Sequence, residues 1–104
     1  GADELVAIAK LMLASQNYSF STAGEEAFGK YIRLRMKSEH FANARSVRNA
    51  LDRARLRQAN RLFSGTKKSL SKTDLITLEA EDILASRVFL ESTSDNEPNL
   101  KNKK

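Results

Sequence analysis

Residues 40–63 read HFANARSVRNALDRARLRQANRLF and combine an apolar stripe with six arginines in a run without glycine or proline. Asn43 is suited to cap the N-terminus of a helix, because its short side chain can accept a hydrogen bond from a backbone N–H of the first turn. In a helix with about 100° of rotation per residue, the following residues then lie on one face: Val47, Ala50, Leu51, Ala54, Gln58 and Leu62. This spacing predicts a long amphipathic helix that packs on a core through that face.

The six arginines divide into two sets that flank the apolar stripe. One set is Arg45, Arg48 and Arg55, with Asp52 among them, and the other is Arg53, Arg57 and Arg61. The first set begins in the opening turns, where unpaired backbone N–H groups and the helix dipole attract anions. Arginine also binds phosphate through two parallel hydrogen bonds and stays charged at any working pH. Arg45 and Arg48 are therefore candidates for phosphate binding, while a solvated helix surface is the alternative interpretation.

Two further helices are predicted before this run. Leu5, Ile8 and Met12 have helical spacing and indicate a first helix that ends near residues 15–17. Thr22 and Glu25 have the spacing of a capping box. A buried stripe of Phe28, Tyr31, Ile32 and Met36 follows them. Phe20 precedes this second helix, and we expect it to pack against the helix's first turns as a hydrophobic staple.

A short β segment and one more helix are predicted after the arginine-rich run. Gly65 is placed as the helix C-cap, and Ser71 with Asp74 could cap a single turn. Residues 75–78, LITL, are β-prone and predict at most a short strand. The three acids in residues 79–82 suit a helix N-terminus, and the stripe Ile83, Leu84 and Val88 follows them.

These features predict an all-α fold, a bundle of four helices of roughly ten to twenty residues, with at most a short β segment near residues 75–78. We expect one domain over residues 1–90. Residues 91–104, ESTSDNEPNLKNKK, have no periodicity, one proline and almost no apolar side chains, so a disordered tail is expected there.

Composition excludes several classes of function. The chain has no cysteine and one histidine, which excludes disulfides, thiolate ligands and multi-histidine metal sites, so no metal site is predicted. No apolar run is long enough to span a bilayer, and we expect no membrane association. The net charge of +5 would suit a polyanion, which makes an arginine-rich nucleic-acid-binding module one alternative. Asp52 among the first arginines, and the division of the arginines between two flanks, argue against nucleic acid as a partner.

The chain also resembles a known family. The segments YSFSTAGEEAF (18–28), HFANARSVRNALDRARLRQANRLF (40–63) and LITLEAEDILASRVF (75–89) are similar to the C-terminal helical lid of AAA+ ATPases. Within that superfamily they most resemble the CbbX type, the red-type Rubisco activases. The resemblance runs from about Asp3 to Phe89.

The resemblance implies roles for individual residues. Such lids carry a sensor 2 arginine near the start of a helix, and its position falls on Arg45 or Arg48, with Asn43 beside them. Arg53, Arg57 and Arg61 become candidates for contacts between subunits. The full-length protein is then expected to be an AAA+ ATPase. This segment has no phosphate loop or Walker B acid, so we assign it no catalytic residue and expect no catalysis from it alone.

Ligands, partners and location also follow from the resemblance. ATP and Mg²⁺ would be bound mainly by a large domain outside this segment, and ribulose bisphosphate is an activating ligand that we assign to no residue. The implied partners are that large domain, the neighbouring subunits of a ring, usually a hexamer, and the Rubisco large subunit. The expected location is the plastid stroma or, alternatively, the bacterial cytoplasm. The lid of a related AAA+ protein of the sporulation or secretion type is the other alternative.

Overall fold

A computed structural model describes residues 1–65, 69–86 and 89 of the 104-residue chain. In chain order the elements are α1 (Ala2–Ala14), β1 (Ser19–Phe20), α2 (Thr22–Arg35), α3 (Asn43–Ser64), α4 (Lys72–Ile76), β2 (Thr77–Leu78) and α5 (Ala80–Leu84). The all-α class with a short β segment is confirmed. The described residues form five helices rather than four, because the single turn predicted at Ser71 and Asp74 is the five-residue helix α4, whose N-cap Ser71 forms a capping box with Asp74. The last predicted helix corresponds to α5. Val88 and the predicted disordered tail lie outside the described residues.

The three longer helices build the core, and α2 and α3 do so through the faces that their spacing predicts. The buried face of α1 is shifted by one residue from the predicted stripe, because Ala9 and Leu13 are buried while Ile8 and Met12 are only partly buried. Buried apolar side chains come from α1 (Leu5, Ala9, Leu13), α2 (Ala27, Phe28, Tyr31, Ile32) and α3 (Val47, Ala50, Leu51, Ala54). Leu78 of β2 and Ile83 of α5 complete the cluster. Met36 departs from the predicted stripe, since α2 ends at Arg35 and leaves this side chain 42% exposed.

The two strands pair in parallel, and this pairing joins distant parts of the chain. Ser19 lies opposite Thr77, and Phe20 lies opposite Leu78. The sequence predicted the second strand but not the first, because two residues are too few to show the alternation of a strand. The pairing holds the connection between α1 and α2 against the segment that leads into α5.

The N-terminus of α2 is capped one residue earlier than predicted. Ser21 is the N-cap, and its Oγ accepts a hydrogen bond from the Gly24 N–H at 2.9 Å. Thr22 is the first residue of the helix rather than its cap. The predicted staple is confirmed, since the rings of Phe20 and Phe28 have centroids 5.2 Å apart. The cap and the staple together fix how the chain passes from β1 into α2.

Gly24 is required by the close approach of β2. The Leu78 carbonyl accepts a hydrogen bond from the Ser21 N–H at 2.9 Å, which brings the strand backbone against the first turn of α2. A Cβ at Gly24 would overlap the Leu78 carbonyl oxygen. By contrast, a Cβ at Gly29 in the same helix would meet only the flexible Arg33 guanidinium, at 3.6 Å.

We predict that Gly24→Ala lowers the free energy of unfolding by about 1–3 kcal/mol, because the added methyl overpacks against backbone that cannot yield. Gly29→Ala is the matched control, and it should raise the free energy of unfolding by about 0.5–1 kcal/mol through helix propensity. Urea unfolding followed by circular dichroism measures both. Equal effects at the two positions would contradict the packing argument.

Candidate functional site

The candidate site begins at the N-terminus of α3, where the local geometry differs from the predicted cap. Ala42 is the N-cap, and Asn43 is the first helical residue, with a φ of 38°. Asparagine adopts this left-handed region more readily than most residues. The Ala42 N–H donates to Ser46 Oγ at 2.8 Å. The predicted capping role of Asn43 is therefore wrong, because a hydroxyl from the following turn accepts from the residue ahead of the helix.

Arg45 and Arg48 lie in the first two turns of α3, and both are exposed. In the described ranges, the other four helices each carry an acidic residue in the first turn, and α3 carries none. A cation at this end of a helix opposes the dipole and costs about 0.3–1 kcal/mol. Within the described part of the chain, neither guanidinium donates a hydrogen bond or forms an ion pair. An anion would meet two unpaired cations here and would offset that cost.

Arg55, the third arginine of the first set, is held by the domain itself. Its guanidinium donates to Gln16 Oε1 and lies 4.8 Å from the centroid of the Tyr18 ring. One of its nitrogens is 3.6 Å from Asp52 Oδ1. These contacts tie α3 to the turn that follows α1. The structure therefore leaves Arg45 and Arg48, but not Arg55, available to a ligand.

A shallow pocket opens between the end of α1 and α3 next to this cluster. It is lined by Met12, Ser15, Gln16, Arg48, Leu51 and Asp52. Arg48 therefore lines the same pocket as the carboxylate of Asp52. Arg45 lies one turn nearer to the N-terminus of α3 and does not line the pocket.

In the second set of arginines, Arg57 and Arg61 contact Asp82 of α5, whereas Arg53 does not. Arg61 forms a bidentate pair with Asp82, with Nε 2.8 Å from Oδ1 and the second nitrogen 2.8 Å from Oδ2. The Arg57 Nε–H donates to the backbone carbonyl of Asp82. Within the described residues, Arg53 is the one arginine of this set that is exposed and forms no such contact. Two of the three candidates for contacts between subunits are therefore engaged within the domain.

Burial and the contacts around Asp82 shift the pKa values of Arg57 and Arg61. Asp82 is 1% exposed, and its Oδ2 also accepts the Glu79 N–H at 2.9 Å. The hydrogen bond from Arg61 to Asp82 raises the pKa of the Arg61 guanidinium above its ordinary value. Burial lowers the pKa of Arg57 from its ordinary value, an effect that the Tyr31 hydroxyl and Asp82 oppose. The sequence predicted Asp82 as a helix-start acid, which is correct, but no local pattern distinguished it from Glu79 and Glu81 as the partner of Arg61.

Gln58 is a second buried polar anchor on α3. It is 2% exposed, and its Nε2 lies within hydrogen-bond distance of three backbone carbonyls, those of Asp74 (3.1 Å), Leu75 (3.1 Å) and Thr77 (3.0 Å). Carbonyls at the end of a short helix otherwise lack partners. The sequence placed Gln58 correctly on the buried stripe but gave no signal for this role, because the accepting carbonyls are at least 16 residues away.

The described residues contain no group of three or more histidine, cysteine, aspartate or glutamate side chains that could hold a metal ion. Among the helices of residues 1–65 and 69–86, none is both long enough and apolar enough to cross a membrane.

Comparison with known proteins adds to this geometry. The family model described as the AAA lid domain matches residues 1–92. The chain is 59% identical over 87 residues to a "Protein CfxQ homolog" of Cyanidium caldarium, an alignment that covers 84% of this chain and 30% of that protein. It is also 59% identical over 87 residues to "Ribulose bisphosphate carboxylase/oxygenase activase, chloroplastic" of Cyanidioschyzon merolae, with the same coverage.

A bacterial relative has a similar sequence identity to the chain. "Protein CbbX" of Cereibacter sphaeroides is 56% identical over 87 residues, which cover 84% of this chain and 28% of that protein. The chain therefore spans less than a third of the length of the curated relatives it matches.

We predict that Asp82→Asn lowers the free energy of unfolding by about 2–4 kcal/mol, because it leaves the Arg61 guanidinium without its buried counter-ion. Glu81→Gln is the matched control. Glu81 lies 3.8 Å from the same guanidinium but is 69% exposed, and its loss should change stability by less than about 0.5 kcal/mol. Urea unfolding of the two variants measures both effects, and a neutral Asp82→Asn would contradict the anchoring role.

Proposed function

Because the chain belongs to the AAA lid domain family, we propose that it closes over ATP and Mg²⁺ held by a larger domain of the same protein. In this proposal the full-length protein is an AAA+ ATPase, and the segment described here contributes nucleotide sensing rather than catalysis. The observation that carries the proposal is the pair Arg45 and Arg48, exposed at a helix N-terminus that has no acidic residue in its first turn.

The two arginines act through charge. An arginine that binds the terminal phosphate of ATP and loses that contact in ADP gives the two nucleotides different affinities for two arrangements of the domains. A difference of this kind is what drives a conformational change. Arg45 and Arg48 both stay candidates for the sensor 2 role, with Asn43 beside them at the helix start.

The client is proposed from the named relatives. One relative is named an activase of ribulose bisphosphate carboxylase/oxygenase, and the identity to it is 59% over the aligned residues. We propose that the full-length protein remodels inhibited Rubisco through its large subunit, with ribulose bisphosphate as an activating ligand. The chloroplastic and bacterial relatives support a plastid stroma or a bacterial cytoplasm as the location.

The nucleic-acid alternative is less well supported by the geometry. Arg55, Arg57 and Arg61 are engaged within the domain, which reduces the basic surface of α3 to Arg45, Arg48 and Arg53. Phosphate contacts along a nucleic-acid backbone need a larger continuous set of cations. The comparisons favour a CfxQ or CbbX type of lid over one of the sporulation or secretion type.

A ring contact is proposed for the outer face of α3. Leu56 and Phe63 are seven residues apart on one helix face, and they are 62% and 82% exposed. Arg53 is exposed three residues before Leu56. We propose that Arg53, Leu56 and Phe63 pack on the large domain of the neighbouring subunit, about 10–30 Å along α3 from the phosphate-binding end. Arg57 and Arg61 would support this face from within the domain.

We predict that, in the protein that joins this lid to its large domain, Arg45→Ala or Arg48→Ala lowers ATP turnover by about tenfold or more, the scale for removal of a donor that stabilises charge. Arg33→Ala, which removes an exposed arginine of α2, is the matched control and should leave turnover unchanged. Circular dichroism checks that helicity is intact. Parental turnover in both Arg45→Ala and Arg48→Ala would refute the assignment.

We predict that Phe63→Ser reduces ring assembly of the full-length protein by about tenfold in association constant, because it removes an aromatic anchor of the contact. Leu11→Ser, at a 72% exposed position on α1, is the control and should assemble normally. Analytical ultracentrifugation with nucleotide present measures assembly. Unchanged assembly of Phe63→Ser would contradict the contact.

A further inference from the structure

Asp52 is the single acidic residue of α3, a helix that carries six arginines. Arg48 precedes it by four residues and Arg55 follows it by three, so both cations lie within reach of one carboxylate. In the structure Asp52 pairs with Arg55 at 3.6 Å. Arg48, at the edge of the same pocket as Asp52, has no such pair in the described chain.

Asp52 pairs with Arg55 rather than with Arg48 for a physical reason. An acid that precedes its base along a helix forms a better pair than an acid that follows it, because the first order agrees with the helix dipole. Arg55 is also fixed in place, since it donates to Gln16 Oε1 and stacks on the Tyr18 ring. The Asp52 side chain is 61% exposed and the Arg55 side chain 32% exposed. The carboxylate is therefore the partner that can turn between the two arginines.

We propose that Asp52 competes with nucleotide phosphate for Arg48 and that Arg55 limits this competition by holding Asp52. This inference rests on the phosphate-binding role proposed above for the start of α3. Without Arg55, the carboxylate turns to Arg48 and occupies the donors that a phosphate would use. Arg55 is thus a positioning residue, and Asp52 sets how strongly Arg48 attracts phosphate.

The same geometry distinguishes the two sensor candidates. Arg45 precedes Asp52 by seven residues, which is about 10 Å along the helix axis and too far for a direct ion pair. Arg48 is one turn away from Asp52, and both residues line the pocket beside Gln16. Competition by Asp52 therefore acts on Arg48 alone.

The test is equilibrium binding of Mg²⁺ with a non-hydrolysable ATP analogue to the full-length protein. Arg55→Gln is expected to weaken binding about two- to fivefold, the range that an exposed ion pair supplies. Asp52→Asn should tighten binding or leave it at the parental level, and the double variant should bind like Asp52→Asn alone. Equal weakening by Arg55→Gln with and without Asp52 would mean a purely structural role and would overturn the proposal.

Two further variants complete the test. With Arg48→Gln in place, neither Asp52→Asn nor Arg55→Gln should change the affinity further, and a remaining effect overturns the proposal. Glu81→Gln is the charge-matched control, because it removes an exposed carboxylate beside Arg61 at the far end of α3 and should leave binding unchanged.

The outcomes separate this inference from the proposed function. Parental affinity in both Arg45→Gln and Arg48→Gln contradicts the phosphate-binding role itself. A loss of affinity in Arg48→Gln, together with parental affinity in Arg55→Gln, contradicts the competition alone. A loss confined to Arg45→Gln also contradicts the competition, since Asp52 then has no phosphate-binding arginine within reach.

Discussion

The ion pair between Asp82 and Arg61 is the interaction on which the rest of this structure depends. A carboxylate that is 1% exposed is costly to bury, and it is tolerated because Arg61 binds both of its oxygens and the Glu79 N–H donates to one of them. The pair holds α5 against α3, while Gln58 holds the end of α4. The same segment contributes Leu78 and Ile83 to the core and pairs β2 with β1.

One helix, α3, serves two purposes with the same type of side chain. Toward its C-terminus, Arg57 and Arg61 find acceptors on α5 and become part of the fold. Near its N-terminus, Arg45 and Arg48 face solvent with no acceptor in the described chain. The difference comes from what packs beside each half, because the intrinsic chemistry of the arginines is identical. The anchored half fixes the orientation of the half that is available to a ligand.

This arrangement suits a lid that moves as one body. In the proposed function, a phosphate at the start of α3 would pull on a helix that is tied to the turn after α1 through Arg55, and to α4 and α5 through Gln58 and Arg61. Packed cores of this kind do not deform continuously, so such a local attraction would be converted into rotation of the whole domain. The exposed pair Leu56 and Phe63 lies on the same helix and would transmit that rotation to a neighbouring subunit.

The sequence by itself determined the helical class, the buried faces of α2 and α3, and the position of two arginines at a helix start. These features follow from spacing within a few turns, which a linear pattern records directly. Tertiary structure alone decided that β1 exists, that Gly24 must lack a side chain, and that Arg61 rather than Arg45 pairs with Asp82. Each of these depends on groups at least 21 residues apart in the chain meeting in space, and local propensity carries no information about such meetings.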